Sequence, residues 1–479
     1  MSQLAELIVN LVLIIAVALL GGYSVRVILR RPTLIELVGL SFPLGAGLVT
    51  FGTFLAAWAG FRITLGLVLV VYGLGMAGLF VIERRSRSNR PPDSPPEVQP
   101  EGRPFERVTT WLSVLAFILL TGMAGYISVG RSHSNYDTAA MWVVKGYGIA
   151  LEQDLFEGST WGAHGLSYPL NIQLLVSFFA MTSGDRLPGS QLIFTVFQAS
   201  AVLACYAYWL RKGVRRWMAG LGLLFLASVP VIFLHGTIGF ANLAMGMYMA
   251  LGSAWGVEGL VRANRRHLLL GGLLLGLGAW TILEGILFSW LCVGILLLGW
   301  LWSGRPQGIQ WLVAPVVIIS GLWLLFFANY GGSGSEAGGA VQKMLSSISN
   351  GEYNLVELRL IFGYLRRYLF HADVWGLLFI VGPLLMALNW TKFVRSRRKD
   401  LLLLASIVIA TGLLSCALYY LRSFVSPDFW AWLVEGFPRQ FLGTAFLFSI
   451  LVMLALAPAS SEGLGTVARP SPFGTALPQ

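Results

Sequence analysis

Long apolar runs, separated by short polar or Gly- and Pro-rich turns, fill most of the chain. A helix needs about 20 mostly apolar residues to cross the hydrocarbon core of a bilayer. That criterion places spans near 7–25, 34–59, 62–82, 110–130, 190–210, 217–234, 242–261, 268–281, 284–302, 310–329, 373–390, 401–421 and 439–457. Lipid admits only helices and closed barrels, because every backbone polar group must be satisfied internally. The runs lack strand alternation, which excludes a barrel. The pattern therefore predicts an all-α polytopic membrane protein with about 13 transmembrane helices. Spacings such as Gly252/Gly256 and Gly272/Gly276 predict close helix packing.

One apolar segment, Pro169 to Met181, is too short to cross. Its 13 residues cover ~20 Å at 1.5 Å each, against a core of about 30 Å. Charge supplies an independent argument. If this segment lies along the interface, the basic stretches 26–31, 83–109, 211–216, 262–267, 303–309, 391–400 and the C-terminal tail all fall on one side. That side then sums to about +14 and the other to about −3, within a net charge of +11. The positive-inside rule makes the first side cytoplasmic. It puts the N-terminus outside and the C-terminus in the cytoplasm; the proline-rich cytoplasmic loops and the lack of a eukaryotic targeting signal lead to the expectation of a plasma membrane. The start, MSQLAELIVN, has no Lys or Arg before the apolar run, so a retained first helix is expected rather than a cleaved signal.

Composition fits this picture. The 479 residues are 56% hydrophobic and 11% charged, with a mean hydropathy of +0.73, against roughly 25% charged in soluble domains. The basic excess reads as a topology signal and a contact with anionic membrane lipids, not as a nucleic-acid surface. The three cysteines lie within apolar runs, which excludes a disulfide framework and a CxxC metal site. Residues 83–109, rich in Pro, Arg and Ser, are expected to form a disordered cytoplasmic linker between three N-terminal helices (1–82) and the remainder (110–457). Residues 458–479 are expected to form a disordered tail.

Four of the five histidines, His133, His164, His235 and His371, fall at predicted outer ends or loops. In SHSNYDTAAMWVVKG, residues His133, Asp137, Met141 and Lys145 would share one helical face. Asp137 is suited there to deprotonate a hydroxyl; a helix-dipole acid is the equally weighted alternative. His164 and Tyr168 precede the short segment at headgroup level, where Tyr is also an ordinary belt residue. His133, Asp137 and His164 are candidate ligands for a divalent metal, without the tight spacing of a metal motif. His235 and Asn242 bracket the outer turn HGTIGFAN. Glu284 interrupts two apolar segments, and an ionisable group at such depth is a functional candidate or a helix cap. Arg439 opens the last span and suits phosphate binding or snorkelling to the headgroups. No Walker A or HExxH sequence occurs, and the GxGxxG match at Gly73, Gly75 and Gly78 lies inside a span with no preceding strand. No nucleotide cofactor is expected.

From about residue 110 onward the chain resembles the C superfamily of integral-membrane glycosyltransferases (GT-C), in the branch of protein O-mannosyltransferases and aminoarabinose lipid A transferases. The resemblance is carried by NYDTAAMWVVKG, HGLSYPL, HGTIGFANLAMGMYMAL, GLLLGLGAWTILEG and the late Arg in FPRQFL. Asn242 stands where relatives often carry a second acid, and Ile282 where many carry Lys. The resemblance implies a GT-C-like catalytic module over 110–457, with outer-face loop and interfacial helices. It implies a polyprenyl-phosphate-linked sugar donor, a lipid, polysaccharide or protein acceptor, and inversion with Asp137 as base. Arg439, with Lys145, Arg366 or Arg367, would stabilise the phosphate, and His164 and Glu284 would orient donor or acceptor. A transporter or flippase of a lipid-linked saccharide, or a non-catalytic member of the fold, is the competing reading. The absence of an internal repeat favours the enzyme.

Overall fold

The computed structural model describes residues 3–87, 103–130, 138–161, 166, 168–183, 188–304, 308–330, 346–347, 349–351, 355–389, 399–424 and 429–457. These residues form helices and no strand. Nine helical stretches among them are long and apolar enough to cross a membrane: Leu7–Leu29, Leu34–Trp58, Leu65–Arg85, Pro104–Gly130, Ser190–Arg211, Leu283–Ser303, Gln310–Tyr330, Lys399–Ser423 and Leu433–Leu456.

In chain order the first long helices are α1 (Gln3–Leu29), α2 (Leu34–Trp58), α3 (Leu65–Arg87) and α4 (Pro104–Gly130). A π-helical turn, Thr138–Val143, leads into α5 (Val144–Glu152), followed by α6 (Leu155–Ser159) and α7 (Asn171–Ser183). Next come α8 (Pro188–Arg211), α9 (Arg216–Ala227), α10 (Pro230–His235), α11 (Ala241–Val261), α12 (Arg265–Ala279), α13 (Leu283–Ser303) and α14 (Gln310–Tyr330). The rest are α15 (Leu355–Leu369), α16 (Ala372–Trp375), α17 (Leu378–Leu388), α18 (Lys399–Ser423), α19 (Phe429–Gln440) and α20 (Leu442–Leu456).

The other four predicted spans differ for local reasons. Segment 217–234 is broken before Pro230, which lacks the N–H a continuous helix requires. Segments 268–281 and 373–390 hold helices of 15 and 11 residues, ~22 and ~16 Å long. Helix α11, at 21 residues, is buried along almost its whole length and carries Asn242, Ser253 and Glu258. It is the central helix, with α12, α20, α8, α13 and α18 packed around it. The predicted glycine contacts form: the Gly256 and Gly271 backbones abut, and Gly272 lies against Leu312. The GxGxxG residues lie inside α3.

Ion pairs gather the described parts of the basic stretches at one end of the bundle. Arg26 meets Glu83 at 3.8 Å, and Arg211 at the end of α8 meets Glu36 in the first turn of α2 at 2.9 Å. Lys212 bridges Glu258 (2.5 Å) and Asp400 (3.3 Å), and Arg262 holds the other Glu258 oxygen at 2.7 Å. His267 packs edge-on to Trp255, and Gly308 abuts Arg265. Ser128 near the end of α4 lies 2.8 Å from Thr195 near the start of α8, so helix α7, between them in the chain, does not cross the bundle and returns to the end opposite the ion pairs. Residues 171–179 are buried there among α1, α2, α5 and α8 rather than laid along the surface as expected of an interfacial helix. At that end Ile63 donates its N–H to the Gln153 carbonyl (2.8 Å), and Phe156 packs on Phe326 and Tyr330. Helix α2 also packs against α8 and α7, so the N-terminal helices are built into the bundle. Of the predicted linker 83–109, residues 83–87 continue α3 and 104–109 open α4, because the apolar helices on either side extend past the membrane-length runs; residues 88–102 and the tail 458–479 lie outside the described residues.

Candidate functional site

At the end remote from the basic stretches, side chains from α10, α11, α13, α18 and α19 converge. Glu284 stands in the first turn of α13, after Ile282, whose extended backbone (φ −156°, ψ 156°) ends the turn from α12. Its Oε1 meets Arg422 Nη2, in the last turn of α18, at 3.2 Å. Its Oε2 is buried and finds no hydrogen-bond partner among the described residues.

One turn back on α18, Tyr419 is fully buried, and its hydroxyl likewise finds no hydrogen-bond partner among the described residues. The hydroxyl abuts Gly436 of α19, where any larger residue would collide with it. Arg422, Arg439 and Glu284 all lie close enough to act electrostatically on the Tyr419 phenol. Tyr419 thus lies within electrostatic reach of both Glu284 and the late arginine.

Arg439, in the last turn of α19, places its guanidinium carbon 4.6 Å from the centre of the Phe240 ring. A cation over an aromatic face gains ~1 kcal/mol and is held in orientation. The His235 ring lies 5.3 Å from the same Phe240. His235, one residue beyond the predicted span 217–234, has Nδ1 2.7 Å from the Val231 carbonyl. A carbonyl only accepts, so Nδ1 carries the proton. Burial, aided by the nearby Arg439 charge, pushes the imidazole pKa down to about 4. The ring is therefore neutral near pH 7, and its buried Nε2 offers a lone pair with no partner among the described residues. Asn242, 6% exposed, sits in the first turn of α11, two residues beyond Phe240.

The remaining candidates lie elsewhere or outside the described residues. Lys145 is fully buried in α5, which packs on α6 and α7; burial lowers its pKa to about 8. Tyr168, half-buried, sets its ring edge-on to Trp142 at 6.0 Å. Arg366 and Arg367 are exposed in the last turn of α15. That helix is fixed to α19 by Tyr364, which donates to the Val434 carbonyl (3.1 Å) and packs on Phe437. His133, Asp137 and His164 lie outside the described residues. Among the described residues, no three His, Cys, Asp or Glu side chains gather as a metal site.

Three residues of the cluster were not singled out from the sequence: Arg422, Tyr419 and Phe240. Arg422 carried a usable signal. It ends a span on the side poor in positive charge, where the positive-inside rule disfavours arginine.

The Arg422 and Arg439 charges both reach the buried Tyr419 hydroxyl, and the Glu284 carboxylate pairs with Arg422. Such an arrangement can bind an anion through charge-assisted hydrogen bonds. Comparison with known protein families, curated proteins and solved structures finds no match to this chain.

Proposed function

We propose that the chain is an integral-membrane glycosyltransferase that moves a sugar from a polyprenyl-phosphate donor to an acceptor hydroxyl at the outer face of a plasma membrane. The observation that carries this reading is the meeting of Glu284, Arg422, Tyr419 and Arg439 at the end opposite the basic stretches. A lipid-carried substrate suits a site there, because its tail remains in the bilayer while its phosphate reaches the arginines.

On this reading the chain has the GT-C-like fold with about 13 crossings, N-terminus outside and C-terminus in the cytoplasm. The Asp137 carboxylate takes the proton of the acceptor hydroxyl as that oxygen attacks the anomeric carbon. The bond between the anomeric carbon and the phosphate oxygen breaks, with inversion, and the electron pair leaves on the polyprenyl phosphate. Arg439 and Arg422 stabilise the charge that grows on this leaving group. Glu284 holds Arg422 in place, and the His235 Nε2 lone pair accepts a hydrogen bond from a sugar or acceptor hydroxyl. Lys145, His164, Tyr168 and Asn242 contribute to donor or acceptor binding.

Binding of a short-chain polyprenyl phosphate to the purified protein tests the anion site. A hydrogen bond to a charged group contributes about 1.5–3 kcal/mol, so Arg439→Ala and Arg422→Ala should each weaken binding about 10- to 100-fold. Unchanged binding in both variants would remove the arginines from the substrate site.

A further inference from the structure

The three N-terminal helices lie outside the family resemblance, yet α2 reaches the turn that carries Glu284 through a buried hydrogen-bonded chain. Thr50, about two turns from the C-terminal end of α2, has Oγ1 2.7 Å from Asn171 Oδ1 and 2.8 Å from the Ala46 carbonyl, and its single proton is shared between these two acceptors. Asn171, the first residue of α7, donates from Nδ2 to Thr281 Oγ1 at 3.0 Å. Thr281 lies in the α12–α13 turn, three residues before Glu284, and its own hydroxyl donates to the Leu277 carbonyl at 2.7 Å. Trp280, beside it, donates Nε1–H back to Thr50 Oγ1 at 3.2 Å.

Thr50, Asn171, Trp280 and Thr281 are all fully buried. Their neighbours add to the junction. Trp280 packs on Phe51 and Phe54 of α2 and on Trp323 of α14, with ring centres 5.4, 4.7 and 5.8 Å away. Tyr248 of α11 donates its hydroxyl to the carbonyl of Pro43 in α2 at 2.6 Å and also interacts with Asn171.

We infer that α2 is a positioning element of the outer site, in which the Thr50–Asn171–Thr281 chain fixes the Glu284 turn relative to helix α7. Each link is directional, so the chain sets orientation as well as distance, which shape-filling contacts alone do not. An unsatisfied buried partner is costly, so losing one hydroxyl releases the turn rather than merely loosening one contact. The inference rests on the transferase reading only for its effect on turnover; the geometric claim stands separately.

The test compares Thr50→Val, which keeps the shape and loses the hydroxyl, with Thr50→Ser, which keeps the hydroxyl. Hydrogen exchange of a peptide covering 278–288 and sugar transfer are both measured on the full-length protein in lipid. Thr50→Val should raise exchange in that peptide about tenfold, leave peptides of α9 and α20 unchanged, and lower kcat about tenfold at constant KM. Thr50→Ser should restore both. If Thr50→Val does not fold, Thr281→Val against Thr281→Ser asks the same question from the other end of the chain. Wild-type exchange and turnover in the valine variants would overturn the inference, as would equal loss with valine and serine. Raised exchange in a protein whose wild type transfers no sugar would leave the positioning in place and sink the transferase.

Discussion

Arg211, the last residue of α8, lies 2.9 Å from Glu36 in the first turn of α2, and the carboxylate side chain is 1% exposed. The pair joins two helices 175 residues apart and fixes their relative direction: α2 departs from the end at which α8 arrives. With the Lys212–Glu258 and Lys212–Asp400 contacts it gathers the basic stretches at one end and leaves the Glu284 turn at the other.

Removing one member of a buried ion pair strands the other and costs about 3–5 kcal/mol. Arg211→Met should therefore lower the melting temperature of the purified protein markedly. The double variant Glu36→Gln/Arg211→Met should recover most of the loss, because no uncompensated charge is left. Thermal unfolding of both single variants and the double variant in detergent checks this; additive losses would mean that the two side chains do not interact.

Sidedness follows from the same pairing. With Cys205, Cys292 and Cys416 replaced, single cysteines at Arg215 and Ala263, both exposed at the basic end, should react with an impermeant reagent from one side only. A cysteine at exposed Thr160 should react only from the other side. Labelling of positions 160 and 215 from the same side would contradict the bundle direction.

Lys145 predicts a pH signature. Its pKa falls from 10.5 in the unfolded chain to about 8 in the fold, so between those values the unfolded state binds more protons. Stability from this residue therefore rises as pH increases from about 8 to 10.5. Melting temperature against pH should show that rise in wild type relative to Lys145→Met. A constant difference between the two curves would mean that the lysine titrates normally.

Glu284 and Arg422 should behave as a unit. Glu284→Gln keeps the shape of the side chain but weakens its hold on the guanidinium, and transfer should fall about 10- to 100-fold, in the range for losing a charged hydrogen bond. Arg422→Lys should not restore function, since an ammonium lacks the planar fork. Steady-state rates for the two single variants and their combination give the coupling; strictly multiplicative losses would show that the residues act independently.

Much of the architecture was legible because bilayer thickness sets a length that apolar runs must meet. The charge of the loops also reports sidedness with no knowledge of packing. The non-crossing nature of 169–181 came from both signals, its 13-residue length and the charge of the loops around it. The outer cluster was legible only in part. Glu284, His235 and Arg439 announced themselves as polar residues at the borders of apolar runs, whereas Tyr419 reads locally as one more aromatic in a span. Glu36, Glu258 and Asp400 lie near span ends beside basic residues, and their partners come from helices distant in sequence. Thr50, Asn171 and Thr281 carry no local signal, since a small polar residue in an apolar helix usually bonds to its own backbone.

Acceptor-dependent release of polyprenyl phosphate tests the account most directly. Vesicles holding the purified chain would be given synthetic polyprenyl-phosphate hexose, pentose and amino-sugar donors, with membrane extract supplying acceptors. The account predicts release of polyprenyl phosphate together with a labelled acceptor by the wild type, a loss of at least ~100-fold in Asp137→Asn, and comparable loss in Arg439→Ala. Movement of intact donor between leaflets without release, or full turnover by Asp137→Asn, would contradict it.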